Sequence, residues 1–94
     1  MVSRMCLMSL SEADFLRLLP RAIAPFNFSL GSNTVEVTVG EGVAHIAFQP
    51  RPAHVLASLS LPVLQVDIRF DNLDEAAGKA FLYRFDQAFH RGGG

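Results

Sequence analysis

The sequence lacks most of the features that mark a defined chemistry. Its one cysteine, Cys6, excludes an internal disulfide and is typical of a reducing compartment. No apolar run approaches the roughly 20 residues of a membrane span, and the short N-terminal one is followed at once by Glu12 and Asp14, which does not suit a signal peptide. No motif for catalysis, metal ligation or nucleotide binding is present. We therefore expect a cytoplasmic protein that is not an enzyme and holds neither a metal nor a cofactor.

Charged residues are also scarce. They make up 18% of the chain and hydrophobic residues 50%, whereas about 25% charged residues is usual for soluble domains. A chain this small has little interior, so part of the apolar set should remain at the surface and meet a second copy or another protein. We expect a homo-oligomer, with a dimer favoured over a well-packed monomer. The net charge of −1 argues against general nucleic-acid binding, which usually needs a basic excess.

The 94 residues predict a single domain spanning 1–94. No linker, internal repeat or long low-complexity segment divides the chain. Residues 1–8 precede the first helix signal and are expected to be frayed. Residues 91–94, an arginine followed by three glycines, are expected to form a flexible tail after the last helix.

Two overlapping signals predict the start of the first helix. Ser9 with Glu12 forms a capping box, and Ser11 with Asp14 gives a weaker version of it two residues later. Pro20 disfavours a helical backbone at the residue before it. We therefore expect the helix to end just before that proline, or to make one further turn after it.

A second, amphipathic helix is predicted at the C-terminal end. Asn72 and Glu75 have the spacing of a helix start, and apolar residues then recur every three or four positions. The apolar stripe is wider than one sheet edge needs and includes Leu82, Phe85 and Phe89. We expect the stripe to pack on the sheet of its own chain. Those three residues are the candidates for an interface if part of the stripe meets a second subunit.

Between the helices, apolar and polar residues alternate in five short segments, as in strands buried on one face. Glycine-containing turns separate the first three segments and predict antiparallel hairpins. Residues 53–61 are ambiguous, because their alternation favours a strand while their Ala and Leu content also suits two turns of helix. The predicted strands are 26–30, 34–39, 43–49, 54–61 and 63–70. The fold class is α+β: an N-terminal helix, five short, mostly antiparallel strands in a curved sheet or small barrel, and a long C-terminal amphipathic helix.

This order of elements resembles that of Sm-like small barrels, in which a helix caps one open end of a strongly curved sheet. The helix at 11–19 and the five predicted strands carry the resemblance. It implies RNA binding through two loop motifs, an acidic residue with an Asn and an Arg-Gly-type pair. Neither motif falls in a matching loop, because Asp71-Asn72 follows the last strand and Arg91-Gly92 lies in the tail. The long C-terminal helix is also extra to that fold.

One face of the predicted sheet carries the residues best suited to a polar ligand. Asp67 and Arg69 stand two apart on one strand, so their side chains share a face. Glu36 and His45 fall on the same outer face of two other strands. A carboxylate beside a histidine can support acid–base chemistry where geometry and pKa permit it. These four residues are the candidate polar ligand face, and a small-molecule site or weak enzyme is a further functional hypothesis.

Three arginines form the basic cluster that the sequence offers. Arg17 and Arg21 lie four apart on the first helix, and Arg51 follows in a loop between two prolines. Phosphate contacts from all three would give weak, salt-sensitive RNA binding, whereas a solvated helix face needs no ligand. The aromatic residues that would stack on bases belong instead to the predicted core. The three histidines share no short motif, so no metal site is predicted.

Overall fold

Seven elements follow one another along the chain and make an α+β fold, as the sequence predicts. The computed structural model describes the backbone of residues 3–91 and the side chains of residues 3–89. The predicted tail beyond residue 91 lies outside this range. In chain order the elements are β1 (Ser3–Met8), α1 (Glu12–Ile23), β2 (Asn27–Leu30), β3 (Thr34–Val39), β4 (Gly42–Leu56), β5 (Leu59–Asp71) and α2 (Glu75–Arg91).

All five strands belong to one antiparallel sheet in the order β1-β5-β4-β3-β2. After α1 the chain runs as a meander from β2 to β5, and β1 completes the sheet by pairing with β5. The sheet is open rather than closed into a barrel, because β1 and β2 form its two edges. Of the two sheet forms left open by the sequence, the open one is therefore correct. Four strands rather than five follow α1, since the fifth strand precedes it.

The two faces of the sheet have different surroundings. Both helices lie on one face of the sheet, which we call the inner face. In β3, β4 and β5, buried apolar residues that point to this face alternate with residues that point to the opposite face. The opposite, outer face carries exposed and half-buried residues. The buried core consists of Leu10, Phe15, Leu19, Ala22, Ile23, Val35, Val37, Ala44, Ile46, Phe48, Leu64, Val66, Ile68, Phe70, Phe81, Leu82, Phe85 and Phe89.

α1 begins at the second of the two predicted capping signals. Ser11 is the N-cap, and its Oγ accepts a hydrogen bond from the Asp14 N–H at 3.1 Å. The helix continues through Pro20 to Ile23, so the further turn is present and an end before the proline is wrong. Pro20 is itself exposed, while the turn beyond it buries Ala22 and Ile23. Burial of that apolar surface offsets the backbone hydrogen bond that proline cannot donate.

α2 begins two residues later than the sequence predicts, because a different residue caps it. Asp74 Oδ1 accepts a hydrogen bond from the Ala77 N–H at 2.7 Å, which makes Asp74 the capping residue. Asn72, the predicted cap, has a φ of 57° and donates through its side-chain amide to the Glu41 carbonyl at 2.9 Å. Asparagine tolerates this left-handed backbone better than most residues. The bond ties the start of α2 to the turn between β3 and β4.

Residues 3–8 form an edge strand, whereas the sequence predicted residues 1–8 to be frayed. The strand pairs with β5 along its whole length. Its inward side chains are half-buried, and the Arg4 guanidinium forms an ion pair with Asp86 of α2. Pairing with β5 and contact with α2 therefore hold a segment that carries no clear strand pattern of its own. Residues 1–2 lie outside the described part of the chain.

β4 and β5 form a hairpin that extends well beyond the rest of the sheet. Residues 50–62 form the far end of this hairpin, and within the described residues no third strand pairs with them. All of these residues are exposed. We call residues 50–62 the β-arm. Its turn is Ala57-Ser58, closed by the Leu56–Leu59 pair. Residues 53–61 are thus two strand ends and a turn, so the prediction of one strand over 54–61 is wrong.

α2 packs its Phe-rich stripe within the chain's own core. Leu82, Phe85 and Phe89 retain 7%, 1% and 3% exposure, respectively. The rings of Phe85 and Phe89 lie 6.4 Å and 5.1 Å from the ring of Phe15 on α1. The stripe is therefore wide enough to contact α1 as well as the sheet. The three candidate interface residues are not accessible to a second subunit in this fold.

We predict that Gly42→Ala strongly destabilises the protein. A Cβ at Gly42 would lie 2.5 Å and 2.7 Å from the carbonyl oxygens of Asn72 and Asp71 and would collide with the Leu73 side chain. Backbone atoms cannot rotate away, so overpacking should lower the free energy of unfolding by about 3 kcal/mol. Urea unfolding followed by circular dichroism measures the change.

Gly40→Ala is the matched control for this substitution. Gly40 has a φ of 60°, but a Cβ there would meet no atom within 4 Å. The Gly40→Ala substitution should therefore lower the free energy of unfolding only by the strain of a left-handed backbone, about 1 kcal/mol. Equal losses for the two variants would contradict the close approach at Gly42.

Candidate functional site

A row of polar residues crosses the outer face of the sheet. Glu36 of β3 pairs with His45 of β4, His45 with Arg69 of β5, and Arg69 with Ser3 of β1. Directly paired residues in antiparallel strands point to the same face. The meander therefore places side chains from four strands side by side, although they are far apart in the sequence.

The next row of paired residues, closer to the β-arm, adds the acidic Asp67 and the apolar Ala47 and Met5. It runs from Thr34 through Ala47 and Asp67 to Met5. The two rows line a groove of about 670 Å³ on the outer face. We call this groove, lined by Met5, Glu36, His45, Ala47, Asp67 and Arg69, the outer groove. All four residues of the predicted polar ligand face line it.

His45 makes the shortest contacts at the groove. Its Nε2 lies 2.7 Å from Asp71 Oδ2 and its Nδ1 lies 3.3 Å from Glu36 Oε2. The Arg69 guanidinium is 4.0 Å from the same Asp71 carboxylate. Sequence reasoning missed Asp71 because it ended the last strand one residue early. The alternation of Asp67, Arg69 and Asp71 is the signal that places all three on one face.

The contacts of His45 limit the chemistry that the groove can perform. Both ring nitrogens face a carboxylate, so neither is left to take a proton from a nucleophilic hydroxyl. Ser3 stands in the same row, but β5 lies between them, which separates the two strands by about 10 Å. The carboxylates of Glu36 and Asp71 lie on opposite sides of the ring and do not converge on one point. Among the described residues, no group of three or more His, Cys, Asp or Glu could hold a metal ion.

The outer face has an acidic balance around the outer groove. Three carboxylates, from Glu36, Asp67 and Asp71, stand there against one guanidinium, from Arg69, which gives a net charge of −2 before His45 is counted. Arg51 lies on the same face but farther along, at the base of the β-arm. The Arg4 guanidinium does not offset this charge, because it pairs with Asp86 on the inner side. Surroundings of this sign attract a positively charged partner and repel a phosphate.

The three candidate phosphate-binding arginines are divided between two elements. Arg17 and Arg21 are exposed on α1, and the Arg17 guanidinium lies 3.5 Å from the Asp14 carboxylate. Arg51 lies at the base of the β-arm. The structure records no contact that joins Arg51 to the other two.

Large exposed apolar side chains lie on the β-arm and on both edge strands, where β2 contributes Phe28 and Leu30. Val55, Leu56 and Leu59 are 65%, 53% and 62% exposed. On the outer side of β1, Met5 and Leu7 are 63% and 64% exposed. Sequence reasoning missed this surface because the alternation of Val55, Leu59 and their neighbours was taken as one buried strand.

Cys6 lies in a second cleft, of about 490 Å³, between β1 and α2. Burial raises the pKa of the Cys6 thiol above its ordinary value; Arg4 opposes this shift, while Asp86 and Asp67 add to it. A thiol of this kind is mostly protonated at neutral pH and is a weak nucleophile. Cys6 is therefore a structural residue of the cleft.

The chain matches no family model, no curated protein and no solved structure in the three comparisons made. Among the described residues, no helix is long and apolar enough to cross a membrane.

We predict that Cys6 reacts slowly with iodoacetamide and that the midpoint of its pH–rate profile lies above that of a free cysteine peptide. Asp86→Asn should lower this midpoint, because it removes a carboxylate that raises the pKa of the thiol. Glu41→Gln, at an exposed carboxylate remote from the cleft, should leave it unchanged. A wild-type midpoint at or below that of the peptide would contradict the burial of the thiol.

Proposed function

We propose that this chain is a small, non-enzymatic binding module that acts in the cytoplasm as a homodimer and whose contact element is the β-arm. The observation that carries the proposal is the exposure of the whole arm, with Val55, Leu56, Leu59 and Leu61 at its end. Exposed apolar patches of this kind mark interaction surfaces in soluble proteins.

The β-arm has little to stabilise it within one chain. An isolated two-stranded hairpin is at best marginally stable in water and usually needs a third strand or a helix against one side. The pairing of β1 ends at Leu64 and the pairing of β3 ends at Ala47, so neither strand reaches the arm. Cover from a second molecule supplies what the chain itself does not.

The total surface of the chain supports the same proposal. It exposes 5927 Å², whereas a compact monomer of its mass exposes about 5,400 Å². The excess is roughly 500 Å², a large part of the roughly 800 Å² that one partner contributes to a stable interface. The longest dimension is 47 Å against 24 and 22 Å for the other two, and a hairpin that extends beyond the sheet adds exposed surface of this kind.

The position of the interface differs from the one suggested by α2. The stripe containing Leu82, Phe85 and Phe89 is buried, so the apolar surface that favours association lies elsewhere, mainly on the β-arm and on the edge strands β1 and β2. The composition argument for a dimer is unchanged by this relocation, because half of the residues are apolar and part of them remains exposed.

A small polar ligand in the outer groove is the second candidate function. The convergence of Glu36, His45, Asp67 and Arg69 on one concave surface favours it. The paired state of His45 argues for binding rather than for catalysis. Such a ligand would need a cationic group to match the acidic balance.

Dimer formation is tested by light scattering during size exclusion. We expect a mass near twice the 10.3 kDa of one chain, with little dependence on salt because the contact is largely apolar. Leu59→Ser should shift the protein toward the monomer, since it places a hydroxyl in the contact. Tyr83→Ser is the matched control: Tyr83 is 66% exposed on α2, away from the arm, and its loss should leave the mass unchanged. A wild-type monomer at tens of micromolar would contradict the proposal.

Sm-like RNA binding is the alternative suggested by the small antiparallel sheet and its N-terminal helix, and it makes a different prediction. Our proposal predicts no saturable binding of a single-stranded RNA oligonucleotide at low salt, because the outer groove is acidic and Arg17, Arg21 and Arg51 are divided between two elements. Fluorescence anisotropy with a labelled oligonucleotide measures this. Saturable binding that falls steeply with added salt would favour the alternative.

A further inference from the structure

We infer that the β-arm of one copy lies in the outer groove of a second copy, and that the arrangement is reciprocal. This inference rests on the proposed dimer and adds to it the identity of the two surfaces that meet. Three properties of the chain support it: the charges of the two surfaces, the faces on which their apolar residues lie, and their lengths.

The charges of the two surfaces are complementary. Residues 42–66 contain no acidic residue, and Arg51 is the one Asp, Glu, Lys or Arg among them. His54 adds a further nitrogen donor on the same arm. The outer face around the groove carries two net negative charges before His45 is counted, and Asp67 and Glu36 line the groove. An arm bearing a guanidinium and no carboxylate matches that groove and would be repelled by a basic one.

A β-bulge sets the register that places the arm's three leucines on one side. Between Arg51 and His54 the pairing of β4 with β5 shifts, so that β4 advances three residues while β5 advances two. Leu56 therefore points to the same side as its partner Leu59, and His54 to the same side as Leu61. β5 has no bulge, so the odd-numbered Leu59 and Leu61 share the outer face with Asp67 and Arg69.

The groove offers an apolar surface for those leucines. Met5 and Ala47 flank Asp67 in one row across the sheet, and Leu7 follows on the exposed side of β1. In a face-to-face contact the leucines of one arm would cover Met5 and Leu7 of the other copy. This surface is otherwise left open on the outer face.

The two halves of the hairpin have similar lengths. The Pro50–Leu64 pair divides it, with six β5 positions between Leu64 and Asp71 on one side and a comparable length to the turn on the other. At about 3.3 Å per residue each half is roughly 20 Å long. A two-fold axis near the dividing pair would place each arm over the groove of the other copy, which is the self-complementary contact of a symmetric dimer. Pairing through the β1 or β2 edges would leave both arms uncovered.

The test uses two full-length chains with reversed charges. The arm-reversed chain carries Arg51→Glu with His54→Glu, and the groove-reversed chain carries Glu36→Lys with Asp67→Lys. In a reciprocal dimer each chain alone places like charges against each other twice, whereas an equimolar mixture places opposite charges together at both contacts. We expect the dissociation constant of each chain alone to rise at least about tenfold and the mixture to regain wild-type affinity.

Sedimentation velocity, with one chain fluorescently labelled, distinguishes the outcomes, and circular dichroism checks that each variant is folded. Dimers formed only by the mixture support the inference. A dimeric wild type whose reversed chains both remain dimeric alone, or fail to dimerise when mixed, would overturn the arm-in-groove contact and leave the proposed function standing. A monomeric wild type would remove both.

Discussion

The fold depends on one cluster of aromatic rings at the centre of the inner face. The ring of Phe15 lies 5.2 Å from that of Phe48 in the sheet and 5.1 Å from that of Phe89 on α2, so a single side chain joins α1, β4 and α2. Aromatic pairs at these distances add to the free energy gained by burial alone. The cluster and the two helices of the described residues cover most of the inner face, and the outer face is left to solvent or to a partner.

Because both helices lie on one face of the sheet, part of the chain's large apolar content stays exposed. The Phe-rich stripe of α2 is buried within the chain, yet large apolar residues remain exposed on β1, on the β-arm and, as Phe28 and Leu30, on β2. A two-layer domain of this size cannot bury them, because its interior is limited by its surface-to-volume ratio. The outer groove and the β-arm thus follow from the same constraint. They are the parts of the molecule for which the chain supplies no second layer.

Alternation and capping residues predicted most of the fold and the placement of Glu36, His45, Asp67 and Arg69 on one face. β1 was missed because it carries apolar residues on both sides, Cys6 and Met8 inward and Met5 and Leu7 outward, which removes the period of two. The turn at residues 57–58 was missed for the opposite reason. Apolar residues alternate through it in the sequence, although the two-residue turn places Val55 and Leu59 on opposite faces, and Ala57 adopts a φ of 54° where glycine is usual. Tertiary contacts, rather than local sequence, decided the position of β1.

The bulge in β4 sets the pairing register of the β-arm, and this register decides which residues share a face. One extra residue in β4 between Arg51 and His54 allows Leu56 to pair with Leu59 across the two-residue turn, so that both point to the same side. If the ladder instead continued in the register of the Arg51–Val63 pair, Leu59 would pair with Val55 and Leu56 would lie in a longer turn. A shift of register by one residue at the base of the arm would therefore change which residues form its exposed apolar surface.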